Sequence, residues 1–276
     1  MRMPLYTRLC IASIGICISS MTIAQSVANT TVHPSIANTG VKQLTLGLQK
    51  KDTPAYNNGQ APCMADEVTD AFFQEQIKKD PYYLQKVSKH NASIQQWVQN
   101  YKNNHNKQAV RTIPVVVHVV HNPANPNNPT ENVSDATILA MINTLNEDFR
   151  RLNSDASQTR AAFLPVAADA EIEFCLASKD PGGASTIGIT RTVTSEVYYD
   201  NNTETDKMKQ NSTDGEDAWD PFNYLNIWIC NISNYQGFGV AGYAYLPTFG
   251  MHGSWRDGLV SSDERAVGEE CDTRVW

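Results

Sequence analysis

The sequence is poor in positive charge. Its 22 Lys and Arg residues stand against 29 Asp and Glu, a formal net charge of −7, and no basic run interrupts the chain. Such a chain is a weak partner for a phosphate backbone, which argues against nucleic acid. Charged residues make up only 18% and apolar ones 41%, so it is not a disordered polyelectrolyte either. Beyond the N-terminus, apolar runs reach only about 8 residues, against the roughly 20 that span a bilayer. Cysteines number six, none in a CxxC pair, which excludes the closely spaced ligands of a zinc finger. There is no GxSxG elbow and no phosphate-cradling P-loop. HExxH is missing too, the helical histidine pair with a glutamate base between them.

What is present begins with an address. Arg2 and Arg8 precede the apolar, small-residue stretch Leu9–Ala24, and Thr22-Ile23-Ala24 suits a signal peptidase. Residues 1–24 are therefore expected to be a signal peptide, leaving an exported chain that no longer touches the membrane. Leu9 and Ile16, preceding Cys10 and Cys17, are too bulky for a lipidation site. Cys63, Cys175, Cys230 and Cys271 remain, and their three possible pairings stay open.

Residues 25–60 are polar and rich in turn formers. Between 66 and 105, apolar residues from Phe72 to Tyr101 recur at three- and four-residue steps, which predicts two helices broken at Asp80-Pro81. Asn103–Gln108 reads as a linker open to proteolysis. From Arg111 the pattern becomes α/β. Ile113–Val120 is apolar on both faces, like a covered central strand, and Ser134 caps a helix with the stripe Ile138, Met141, Ile142, Leu145, Phe149 and Leu152. Ile172–Ala177, Ile187–Val193 and Leu225–Ile232 read as further strands, Val240–Leu246 as an edge strand, and the acidic stretch 200–217 as a surface loop. The fold class is α/β, a mixed sheet with one long helix on one face. From Ser261 the chain turns charged and aperiodic.

Few residues suggest chemistry on their own. His118 and His121 lie three apart on a strand and point to opposite faces, so they are read as structural rather than as a metal pair. His252 stands alone in a loop. Glu196, Glu204, Asp206, Asp214, Glu216 and Asp217 form a solvated acidic face, with calcium as the sharper alternative. Cys63, isolated near the N-terminus, is either half of a disulfide or a thiolate offered to a metal ion.

Taken in order, Ile113–His121, Leu145–Arg150, Ile172–Ala177, Gly188–Arg191, Trp219–Ser233 and Ala241–Pro247 resemble the pappalysin-like branch of the metzincin zinc metallopeptidases. The resemblance implies a secreted zymogen: a small helical propeptide over 25–110, then the upper catalytic subdomain over 111–268. It implies zinc as cofactor, peptide or protein substrates, and hydrolysis by zinc-activated water. In related zymogens a propeptide cysteine ligates the zinc, and Cys63 is the match. The family's edge strand aligns substrate by backbone pairing, and Ala241, Gly242, Tyr243, Ala244, Tyr245 and Leu246 match it. Some members cut beside arginine, which makes the Val110–Arg111 bond the expected maturation site. Residues 269–276 do not match, and the zinc motif HExxHxxGxxH and lower subdomain expected next are not found, so the sequence reads as truncated and inactive. With one long helix to cover a two-faced sheet, bare Val, Ile and Leu side chains and a marginal fold are expected unless the propeptide helices fold over the exposed surface. The alternative function is a secreted, non-catalytic peptide-binding or inhibitory module built on the same edge strand.

Overall fold

The computed structural model describes residues 64–103, 110–125, 132–200, 203–233 and 240–262. The expected leader, Cys63, Cys271, most of the 103–108 linker and the tail 269–276 lie outside them.

Two helices open the described chain, α1 (Ala65–Lys79) and α2 (Tyr83–Asn103). Asp66 and Glu67 in the first turn of α1, with Lys78 and Lys79 in the last, complement its macrodipole. The break falls at Asp80, which is extended (φ −134°, ψ 106°) because the proline after it disfavours the helical region.

The sheet is built around β1 (Arg111–His121). One edge of β1 pairs in parallel with β2 (Ile172–Leu176) over its first half and with β3 (Ile189–Val193) over its second. Its other edge pairs in parallel with β5 (Leu225–Cys230), which pairs with β8 (Leu259–Ser262). β7 (Gly242–Ala244) closes the order β2-β1-β5-β8-β7 as the one antiparallel strand. Two short strands, β4 (Tyr199–Asp200) and β6 (Ile232–Ser233), pair separately.

Helix α3 (Asp135–Phe149) starts where Ser134 Oγ accepts the Thr137 N–H at 3.2 Å. Its Ile138, Met141, Ile142 and Leu145 pack on Val115, Val117 and Val119 of β1. Asn146 pins the helix to β2 by bonding both the N–H and the C=O of Phe174. The stripe ends one turn earlier than expected. Arg151 takes φ 52°, and Leu152 is left 72% exposed.

The opposite face of the sheet is covered as well. Residues Val115 to Val120 are each at most 1% exposed. Val120, Trp228, Tyr243 and Val260 pack there with Met208 and Tyr199, and α1 adds Val68. Much of the cover is the stretch 200–217, expected at the surface, which instead buries Met208 and Lys209. A loop can go inside when its polar groups find partners. Short 3-10 turns at Lys207–Lys209 and Asn211–Thr213 supply some, as do the Asn211–Asp217 contacts and the bond from Thr213 Oγ1 to Lys207 O. No alternation of apolar residues announces such a segment, so its burial is invisible to periodicity.

Cys175 is exposed on β2 and Cys230 buried at the end of β5, and no disulfide joins them. Among the described residues, no helix is long and apolar enough to cross a membrane.

Candidate functional site

Among the described residues, β7 is the end of the sheet and has one strand neighbour, β8, in the register Gly242↔Ser261 and Ala244↔Leu259. Gly242 is required here. Its φ is +156°, and a Cβ would lie 2.5 Å from Val260 O. On its other side β7 meets the N-terminal segment. The Met64 N–H donates to Gly242 O at 3.1 Å, and the Leu246 N–H donates to Thr69 Oγ1 at 3.0 Å. The backbone groups that an extended peptide would use are thus partly engaged by residues 64–69.

Below β7 lies a charged floor. Tyr243 and Tyr245, two apart, both reach the 205–209 stretch, Tyr243 OH donating to Thr205 O and Tyr245 OH to Asp206 Oδ2 at 2.7 Å. The same Asp206 oxygen accepts from Arg256 Nε at 2.8 Å. Lys209 is fully buried. Its ammonium donates to Arg256 O at 2.8 Å, lies 3.3 Å from Asp206 Oδ1, and faces the rings of Trp228, Tyr243 and Tyr245 at 5.2, 5.4 and 4.9 Å. Burial pushes its pKa below the usual lysine range. Burial also pushes the two tyrosines up, so both act as neutral donors.

The remaining candidates disperse. His118 is a structural residue, bonded through Nδ1 to Thr190 Oγ1 at 2.8 Å and through Nε2 to Asn226 Oδ1 at 3.0 Å, and burial lowers its pKa to about 4. His252 is exposed beside Phe222. The acidic residues are spent separately: Glu196 and Glu204 on Lys207, Asp214 on Ser195, Glu216 on Thr192, Asp217 on Asn211. Among the described residues no cluster of three or more His, Cys, Asp or Glu could hold a metal ion, so they do not supply the ligands of a zinc centre. Val110 is exposed, and Arg111 opens β1 with its N–H on Glu171 O at 2.9 Å.

No family model and no curated protein matches the chain. Solved structures do. A Tannerella forsythia promirolysin mutant is 35% identical over 70% of this chain and 61% of its own, with a TM-score of 0.51. Mature mirolysin of the same organism, in complex with a cleaved peptide, is 40% identical over 61% of this chain and 58% of its own, also at 0.51. A mirolysin in complex with compound 9 gives 40% identity, the same coverages and 0.50. The chain is close to mirolysin, a pappalysin-like metzincin. Its mixed sheet, long backing helix and preceding helices fit a metzincin-like upper subdomain with a propeptide. The chain spans about three fifths of the length of the mirolysins it matches.

The edge strand was legible as a place in the sequence. The floor was not. Lys209 sits in the stretch Lys207-Met208-Lys209 that composition assigns to solvent, and only the aromatic spacing Tyr243/Tyr245 hinted that something below the strand needed filling.

Proposed function

We propose that this chain supplies the substrate-aligning half of a secreted, zymogenic metalloendopeptidase of the metzincin kind. Closeness to mirolysin supports a metalloprotease lineage and peptide or protein partners. In this reading β7, with Ala241, Gly242, Tyr243, Ala244, Tyr245 and Leu246, takes an extended peptide as an added strand. Residues 1–24 export the chain, 25–110 are its propeptide, and 111–268 its upper subdomain. Cleavage at the exposed Val110–Arg111 junction releases the propeptide, and Cys63 is the residue offered to a metal in the latent form. The observation that carries the reading is the engagement of β7 by residues 64–69, through Gly242 O and the Leu246 N–H.

Hydrolysis is not assigned to these residues. They contain no HExxH, and the described ones offer no cluster of three His, Cys, Asp or Glu for zinc.

The test is peptide binding before and after cleavage at Val110–Arg111. An Arg-containing peptide should bind saturably after cleavage and weakly before it, and the 276-residue chain should leave casein intact with or without added zinc. Equal binding before and after cleavage would refute the masking of β7. The second reading, a non-catalytic peptide-binding or inhibitory module, rests on the same strand and predicts the same binding. What would favour it is inhibition of another peptidase by the cleaved chain.

A further inference from the structure

The two groups of the sheet unit that face Phe72 of α1 hang on one carboxylate oxygen. Phe72, 6% exposed, meets the ring of Tyr245 edge-on at 5.8 Å and lies under the guanidinium of Arg256 at 6.0 Å. Tyr245 OH and Arg256 Nε both donate to Asp206 Oδ2, at 2.7 and 2.8 Å. The other oxygen of Asp206 is 3.3 Å from Lys209 Nζ, whose side chain is fully buried. The carboxylate is thereby fixed from beneath and orients a ring and a cation above it.

We propose that Asp206 is a positioning residue for docking of the N-terminal helix: it builds the aromatic–cationic seat that holds Phe72 and keeps α1 on the edge strand. The inference rests on the reading of residues 64–79 as a mask and names what regulates that mask. Truncating Asp206 removes the acceptor that Arg256 and Tyr245 share, and both then reorient toward solvent or other partners. Phe72 loses the edge-on ring and the cation together. The bonds from Met64 to Gly242 and from Leu246 to Thr69 remain, so the helix loosens without the sheet dissolving. The seat selects for an aromatic ring at position 72, since an aliphatic side chain offers no quadrupole to Arg256.

Amide hydrogen exchange on the intact chain tests this. Asp206→Ala should lower protection across 65–79 about tenfold or more while leaving 113–120 and 225–230 as in the parent, and Phe72→Leu should do the same more weakly. Unchanged protection of 65–79 overturns the proposal. So does equal loosening of helix and sheet, which would make Asp206 a general element of the fold. Where Asp206→Ala fails to fold, because Lys209 is left buried without its charge partner, Arg256→Met carries the test with the same two outcomes. If neither variant folds, the proposal falls. No peptide enters this experiment, so a failure of β7 to bind peptide would be seen separately.

Discussion

Single residues carry two of the strongest constraints in this molecule. His118 is held neutral in the sheet, its pKa lowered to about 4 from 6.5 by burial, with Asn226 opposing. The unfolded chain takes up a proton near 6.5 and the folded chain only near 4, so the unfolded state binds more protons in between. Stability from this group is complete above about 6.5 and is lost as pH falls toward about 4, on the order of 3 kcal/mol in all. Urea titrations at stepwise pH should show that slope, and His118→Gln should flatten it; a parent chain equally stable at both ends of the window would contradict the assignment. Gly242 is the other. A methyl group there meets Val260 O at 2.5 Å, so Gly242→Ala should destabilise the chain by about 1–3 kcal/mol and weaken pairing of β7 to β8. Retained exchange protection of β7 amides in that variant would count against the steric account.

At the scale of elements, the sequence reading succeeded wherever one face had one environment. The break at Asp80-Pro81, the Ser134 cap and the Ile138–Leu145 stripe were all visible, because capping and periodicity are local. The reading stopped short where elements depend on partners. Leu152 fits the helical stripe by spacing, yet the chain turns at Arg151 and leaves it exposed. Val240–Leu246 was legible as an edge strand, but only the pairing of Gly242–Ala244 with β8 and the bonds to Met64 and Thr69 determine its length and its outer contacts. The 200–217 stretch was misread for the same reason: its polar groups find partners within it, as Asn211 and Asp217 do, and far from it, as Asp214 does on Ser195, Glu216 on Thr192 and Asp206 on Arg256, and that satisfaction lets Met208 and Lys209 go inside.

Across the whole molecule, both faces of β1 are covered within the described residues, by α3 on one side and by the 200–217 stretch with α1 on the other. A cooperative thermal transition with little binding of a hydrophobic dye at 25 °C is therefore expected of the intact chain. Removing residues 64–79 should raise dye binding, because Val68, Phe72 and Phe73, all under 9% exposed, leave the apolar surface they cover. Strong dye binding before cleavage would restore the marginal fold that counting helices suggests.

Composition and pattern alone determined the acidic character of this chain, its α/β class, the two helices that precede its sheet and the position of its edge strand. Each follows from charge count, caps or periodicity, which act between near neighbours in the chain. Only the tertiary structure decided what covers the second face of the sheet, that Asp206, Lys209 and Arg256 converge beneath Tyr243 and Tyr245, and that residues 64–69 engage β7. Those outcomes depend on groups tens to more than a hundred residues apart, brought together by burial and by the need of each buried polar atom for a partner, and no local pattern records such an encounter.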